Sequence, residues 1–356
     1  MIDIQEQVAL APYTTLGLGG PARYFITCHD EHQLAEAVAW AQERSLRLLI
    51  LGGGSNLIVS DGGFDGAVIH LRMQSLQFEI DAGGATVTAE AGELWDEVVR
   101  AAVERGLAGI ECLSGIPGSA GATPMQNVGA YGQEVSETIQ SVETLEIATL
   151  HRRVFAAGEC RFGYRQSRFR THDAGRFIIT RVVYRLVHAA HPPRIRYEEL
   201  ERLVRETAPE ALRQTGRTAL RAVRQAVLAL RKKKSMVIDP DDVHSRSAGS
   251  FFLNPVVTQH EFAALEERWR ASGGRSAVPS FPAPGGRKVP AAWLVEQSGF
   301  PCGYRLRGAG ISAHHALALV NYGGTTAELL ELAREISHRV SENFGIELER
   351  EPVLVE

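Results

Sequence analysis

The sequence predicts a multidomain protein of mixed α/β and α+β class. Three observations carry this. Helical and strand periodicities alternate along most of the chain, a buried-strand run leads straight into a glycine run, and 356 residues exceed one ordinary domain. A hydrophobic content of 44% with 22% charged residues belongs to a folded chain rather than a disordered one.

HQLAEAVAWAQERSL repeats apolar residues at helical spacing, and LRLLIL then reads as a short buried strand. LGGGSN follows at once, from Leu51 to Asn56. A strand running into glycines is a setting where backbone N–H groups can converge on phosphate. No GK[ST] follows, and the GxGxxG spacing is absent, so neither common nucleotide fingerprint applies. ATVTAEAG alternates with period two, and LWDEVVRAAVERGL reads as a helix closed at Gly106.

The segment Cys112–Gln133, CLSGIPGSAGATPMQNVGAYGQ, has five glycines and no charged residue. An exposed linker would carry charge or Ser/Pro bias. A neutral glycine-rich loop suits close backbone approach to a large, partly apolar ligand, and a buried turn cluster is the plainer alternative. HAAHPPRIRYEEL is a loop signal, after which TALRAVRQAVLALRKKK places Leu220, Val223, Val227 and Leu230 on one helical face. A domain boundary is expected near residue 215. ASGGRSAVPSFPAPGGRK, residues 271–288, reads as a surface excursion. In TTAELLELAREISHRVSENFG, Thr325 and Glu328 have capping-box spacing, and Leu329, Leu332, Ile336 and Val340 form an apolar face.

The net charge of −4 argues against nonspecific nucleic-acid binding. No apolar run approaches the ~20 residues that span a bilayer. The MIDIQEQ start has no basic n-region of a signal peptide. Cys28, Cys112, Cys160 and Cys302 form no CxxC pair, so buried reduced thiols in a cytoplasmic protein are expected, with no metal.

Seven separated motifs occur in one order: TTLGLGGPARYF, LGGGSN, IPGSAGATPMQNVGAYGQE, FGYRQSRF, AGSFFLNPV, AAWLVEQSGF and IELEREPV. Together they resemble the UDP-N-acetylenolpyruvoylglucosamine reductases over almost the whole chain. RYEEL resembles the subclass with a tyrosine-bearing substrate loop. The resemblance implies a three-domain flavoenzyme with a split, vanillyl-alcohol-oxidase-like α/β scaffold and a third α+β domain for substrate. The first part would span residues 1–70 with a C-terminal return over 337–356, the second 71–215, and the substrate domain 216–336. It further implies non-covalent FAD, NADPH as reductant, UDP-N-acetylenolpyruvoylglucosamine as substrate and a monomer.

The chemistry so implied has physical requirements. Hydride reaches the β-carbon of an enol ether conjugated to a carboxylate, so negative charge builds on the carboxylate oxygens and a fixed cation lowers the barrier. Arg165 in FGYRQSRF is matched to that task, since a guanidinium binds a carboxylate bidentately and stays charged. Arg161, Arg168 and Arg170 lie close by, and a solvated basic cluster is the plainer reading of the four. Ser250 of AGSFF is matched to the proton donor for the α-carbon, which its weakly acidic hydroxyl can serve only if pre-aligned; without the motif, Gly249-Ser250 reads as a turn. Glu351 is matched to the glutamate acting with the arginine, as a carboxyl whose pKa its site raises; Glu349 competes, and Glu347 less so. After Glu351 this chain has Pro352-Val353 where many members have Val-Arg, which removes a basic residue.

Tyr197 matches the loop tyrosine over the diphosphate, Lys234 the diphosphate lysine with Lys233 as alternative, and Asn254 the uridine-side asparagine. His315 stands where the family often has a polar residue; an unrelated packed histidine is the plainer reading. Gly52, Gly53, Gly54, Ser55, Asn56, Gly118, Ser119 and Gly121 would face FAD. A flavin oxidase on the same scaffold and a non-catalytic nucleotide-sugar-binding protein remain as alternatives.

Overall fold

The computed structural model describes all residues, Met1–Glu356. The chain forms two compact units. The first comprises Met1–Val8, Ala22–Gly53 and Asp65–Lys233, and the second Ala9–Pro21, Gly54–Phe64 and Lys234–Glu356.

In the first unit, the strands Ile4–Ala9, Pro21–Cys28, Phe64–Leu71 and Leu48–Leu51 form a four-stranded sheet in that order. Leu48–Leu51 runs parallel to Phe64–Leu71, with Ile50 opposite Ile69. Helix α1 (Glu31–Glu43) starts where the Asp30 side chain accepts from the Gln33 amide. Its buried residues Leu34, Ala37, Val38 and Ala41 recur at helical spacing, and the first three pack with Ile26, Cys28, Ile69 and Leu71.

A second, antiparallel sheet orders Arg152–Ala156, Ile139–Glu146, Phe177–His188, Gly84–Glu90 and Leu76–Asp81, with Leu107–Ala108 also paired to Phe177–His188. Along its central strand Val182, Tyr184 and Leu186 are buried at period two. They share a core with Trp95, Val98, Val99 and Ala102 of α2 (Trp95–Glu104). The Trp95 indole donates to the Leu113 carbonyl at 3.1 Å, and the Tyr184 and Thr123 hydroxyls meet at 2.8 Å. These two buried bonds tie the glycine-rich loop to the sheet and helix beneath it.

Helices α3 (Glu198–Thr207) and α4 (Gly216–Lys233) complete this unit. The expected face of α4 is buried, and Val223, Val227 and Leu230 pack with Leu200, Val204 and Cys112. The division expected at 215 therefore differs from the packing, because the apolar partners of α4 lie earlier in the chain; the chain passes to the second unit at Lys234.

The second unit holds α5 (Gln259–Ala271), α6 (Ala291–Gln297) and α7 (Thr326–Phe344). Thr325 and Glu328 form the expected capping box, and the αL residue Gly345 ends α7. Leu329, Leu332, Ile336 and Val340 join Leu294, Val295, Phe251 and Phe252 in one core. The segment expected as a surface excursion is partly ordered: Phe281–Ala283 and Gly286–Lys288 form a hairpin that pairs onto Val256–Val257. Gly285, at φ 84°, follows Pro284 in the two-residue turn, and Gly286 opens the return strand opposite Ala283. The tail Val353–Val355 pairs in parallel with Leu57–Val59, so residues 337–356 belong to the second unit together with that inserted strand.

Candidate active site

In the first unit the strand Leu48–Leu51 delivers Gly52 and Gly53 against the segment Gly118–Gly121. A Cβ on Gly52 would lie 2.6 Å from Ser119 Oγ, one on Gly53 2.7 Å from Gly118 Cα, and one on Gly121 2.5 Å from Ala91 Cβ. Two backbones can meet this closely only without side chains. Bonds from the Trp95 amide to the Gly118 carbonyl, and from the Gly121 amide to Ala91, fix the second segment. Gly54, at φ 61°, belongs to the second unit, where its carbonyl accepts from Thr15 N at 3.3 Å. Ser55 and Asn56 follow there, and the Asn56 carbonyl accepts from Val353 N at 2.9 Å.

Beyond the glycines, Gly129–Ala130 and Gln133–Glu134 form a two-residue hairpin. Tyr131 (φ 48°) and Gly132 (φ 83°) occupy its turn, and positive φ at both central positions marks a type I′ turn. Arg165 reaches this hairpin and donates from Nη2 to the Gly129 carbonyl at 2.8 Å. It sits in a tight turn closed by reciprocal bonds between Gly163 and Gln166, with φ of 52°. That conformation costs an L-residue of order 1 kcal/mol.

The neighbouring arginines separate by environment. Arg168 is held by Asp173 at 2.6 Å and stacks over the Phe155 ring, its side chain only 12% exposed, so it is committed to the fold. Arg170 donates to the Gln126 amide oxygen at 3.2 Å, and Arg161 is exposed. Tyr197, just before α3, is 43% exposed and its ring stands edge-on to Tyr131 with centroids 5.3 Å apart. The first unit thus brings the glycine cradle, Arg165, Tyr131 and Tyr197 onto one loop system. Asp96 braces that loop, accepting from Gly115 N at 2.6 Å and from both terminal nitrogens of Arg224. Burial works to raise the Asp96 pKa, but the bonds from Arg224 and Gly115 outweigh it and hold the carboxyl below its ordinary range.

In the second unit, Ser250 is half-buried and its hydroxyl makes no hydrogen bond within the fold. The following residues are stapled on both sides: Phe251 N donates to the Leu317 carbonyl at 2.8 Å, and its carbonyl accepts from Glu351 N at 2.9 Å. Leu253 N donates to the Glu349 carbonyl in the same pairing. The segment that follows Ser250 is therefore flanked by the one carrying Glu351 and by the turn after His315. Glu351 is half-buried and Glu349 exposed, which favours the former for a site role. Gly249 has φ 72°, and an added Cβ would meet nothing within 4 Å, so glycine is required by conformation rather than by crowding.

Asn254 accepts from Ala291 N at 2.8 Å and so begins α6. His315 Nδ1 accepts from Leu317 N at 3.0 Å, orienting the ring in its own turn. Lys234 is half-buried just past the end of α4, whereas Lys233 is exposed. No group of three or more His, Cys, Asp or Glu could hold a metal, and no helix is long and apolar enough to cross a membrane.

Residues 22–149 match the family model described as an FAD binding domain, and residues 240–355 match the C-terminal domain of UDP-N-acetylenolpyruvoylglucosamine reductase. The chain is 46% identical to the UDP-N-acetylenolpyruvoylglucosamine reductase of Thermobifida fusca, over 98% of this chain and 97% of that protein. It is 44% identical to that of Mycobacterium tuberculosis, over 99% of this chain and 95% of that one. The chain belongs to the UDP-N-acetylenolpyruvoylglucosamine reductase family. The crystal structure of the Thermus caldophilus reductase matches with a TM-score of 0.66 at 26% identity, covering all of both chains.

The glycine cradle of this reductase family member fits FAD. Gly52, Gly53 and Gly121 are places where a Cβ would collide with the fold, and Gly118 holds φ 118°, leaving bare backbone of the kind a dinucleotide diphosphate requires. Motif reading passed over Asn127 and Tyr131. Their only signal in the sequence was a position inside the uncharged loop, and their positive φ values emerge only in three dimensions.

Proposed function

We propose that this chain reduces UDP-N-acetylenolpyruvoylglucosamine to UDP-N-acetylmuramate, an oxidoreductase step of peptidoglycan precursor synthesis, using NADPH and non-covalent FAD. The observation that carries the reading is full-length identity near one half to reductases of that name, 46% over 98% of the chain. FAD, when bound, supplies the hydride chemistry that links NADPH to the substrate β-carbon. Gly52, Gly53, Gly54, Ser55, Asn56, Gly118, Ser119 and Gly121 hold it.

Arg165 binds the substrate carboxylate and stabilises the charge that develops there; its pre-set turn places the guanidinium before substrate arrives. The Ser250 Oγ–H gives its proton to the α-carbon. A hydroxyl that has no partner within the fold is free to align on substrate, which supports that role. Glu351 supports the same intermediate through its carboxyl. Tyr197 and Lys234 take the diphosphate, Asn254 the uridine side, and His315 is a further polar contact.

The division into 1–70 with 337–356, 71–215, and 216–336 is adjusted by the packing, which puts 216–233 with the first unit and 337–356 with the second. We also assign a monomer acting in the cytoplasm without inserting in the membrane, a setting that suits four free thiols.

The test is spectroscopic. The purified protein carries a flavin absorption band that NADPH bleaches and the enolpyruvyl UDP-sugar restores. Ser250→Ala bleaches normally but recovers at least ~10²-fold more slowly. Recovery at the parental rate in Ser250→Ala rejects the proton-donor role, and an unbleachable flavin rejects the reductase reading.

A further inference from the structure

Asn127 is 1% exposed and holds φ 46° at the foot of the Gly129–Glu134 hairpin. Its Nδ2 donates to the Gly163 carbonyl at 3.1 Å and to Glu134 Oε2 at 2.8 Å, while its Oδ1 accepts from Ser136 N at 3.1 Å. Two of the three partners, Gly163 and Glu134, bear on Arg165. The Gly163 carbonyl is the one that Gln166 N closes on to form the Arg165 turn. Glu134 is paired across the hairpin with Gly129, whose carbonyl receives the Arg165 guanidinium. One buried amide therefore fixes both the turn from which the side chain starts and the hairpin edge on which it rests.

A turn with an arginine at positive φ does not hold that shape by local preference, because ordinary L-residues disfavour it. It persists only where its surroundings over-determine it. The bond from Asn127 to Gly163 spans 36 residues of sequence, so it is a tertiary restraint rather than a local turn bond. An aspartate would be equally tolerant of this backbone but could not donate.

We propose that Asn127 is a positioning residue that sets the Arg165 guanidinium for the substrate carboxylate. This rests on the assignment of Arg165 made above. Geometry of this kind matters steeply, since ~1 Å of misplacement can cost ~10²-fold in rate.

The test uses the full-length, FAD-loaded protein with Asn127→Gly and Asn127→Asp, both of which tolerate positive φ. The two variants remove the donor by different routes, so a fold failure in one leaves the other to decide. NADPH carries no carboxylate and provides the internal control. The expected result is a rise of ~10-fold or more in KM for the enolpyruvyl substrate, with KM for NADPH within ~2-fold of the parent. The equilibrium Kd for UDP-N-acetylmuramate, read by calorimetry, rises in parallel. In an Arg165→Ala background the same Asn127 change moves that Kd by less than ~2-fold.

An equal Kd rise in both backgrounds overturns the proposal and makes Asn127 a structural residue only. So does a parental Kd in both variants, or an equal rise in both KM values. If Arg165→Ala alone leaves the Kd unchanged, the carboxylate role of Arg165 fails first and the proposal falls with it.

Discussion

Asp96 offers a direct test of how the glycine-rich loop is held. It lies in the first turn of α2, where a carboxylate also favours the helix dipole. Arg224 of α4 binds it at 2.6 and 2.7 Å, and Gly115 N at 2.6 Å. Asp96→Ala strands a guanidinium whose side chain is only 13% exposed, together with one loop amide. Hydrogen bonds to charged groups contribute ~1.5–3 kcal/mol each. The Asp96 side chain is 36% exposed, so solvent screening reduces the sum, to about 3 kcal/mol. An unfolding entropy near ~2.1 cal/mol/K per residue converts this to a fall of roughly 4 °C in Tm if the chain melts as one.

The pH dependence has a defined sign. The folded pKa is depressed, so the contribution is complete above the unfolded carboxyl value of ~3.9 and drains away as pH falls from there through the folded value. Urea titrations of parent and Asp96→Ala at pH 7, 5 and 4, and just below, measure the gap directly. Asp96→Asn keeps the shape while removing the charge. A gap under ~1 kcal/mol at pH 7 refutes the bracing role. A gap that does not narrow below pH ~4 refutes its electrostatic origin.

Gly53→Ala sets a Cβ 2.7 Å from Gly118 Cα, a backbone atom that cannot swing aside, and should lower bound FAD per chain with a loss of ~1–3 kcal/mol in stability, read from the flavin absorbance ratio and Tm. Tyr131→Asn places the residue type favoured for a type I′ turn at φ 48° but removes the edge contact with Tyr197; the two changes, each near ~1 kcal/mol, offset, so Tm should stay nearly constant while KM for the UDP-sugar rises.

Regular elements with a one-sided pattern were legible. The capping box at Thr325, the apolar face through Leu329 and Val340, and the α4 face through Leu220 and Leu230 follow from local spacing alone. The domain to which α4 belongs was not legible, because Leu200, Val204 and Cys112 reach it only in three dimensions. Nor does LGGGSN reveal that the chain changes unit between Gly53 and Gly54. Choosing among the four clustered arginines required the family motif. Structure adds a physical reason, since Phe155 and Asp173 consume Arg168. The hairpin over 281–288 was missed because its composition is that of a loop, and only pairing to Val256–Val257 makes strands of it.

Four of the nine non-glycine residues at positive φ gather in one region, while Gln7, Ser45, Leu150, Ser235 and Arg307 are scattered. Asn127, Tyr131, Arg161 and Arg165 are non-glycine residues at positive φ, and they fall in two short segments that bond to each other. Ser45 and Leu150 share the conformation but occupy simple turns, one just after α1 and the other joining adjacent strands. At a simple turn a different residue or a slightly different path would cost little. Around Arg165 the path is held by bonds from far along the chain, Ser167 Oγ to the Met125 carbonyl at 2.7 Å and Asn127 to Gly163, and by the local pair of Arg168 with Asp173. Tyr131, Arg161 and Arg165 cost of order 1–2 kcal/mol each, a sizeable part of the net stability of a domain. A fold selected for stability alone would place glycine or asparagine at Tyr131, Arg161 and Arg165 too, as it does at Asn127. What the strained arrangement retains is a guanidinium anchored to the hairpin at the Gly129 carbonyl, and under the role proposed for Arg165 the carboxylate would meet a fixed charge rather than one that must first be ordered.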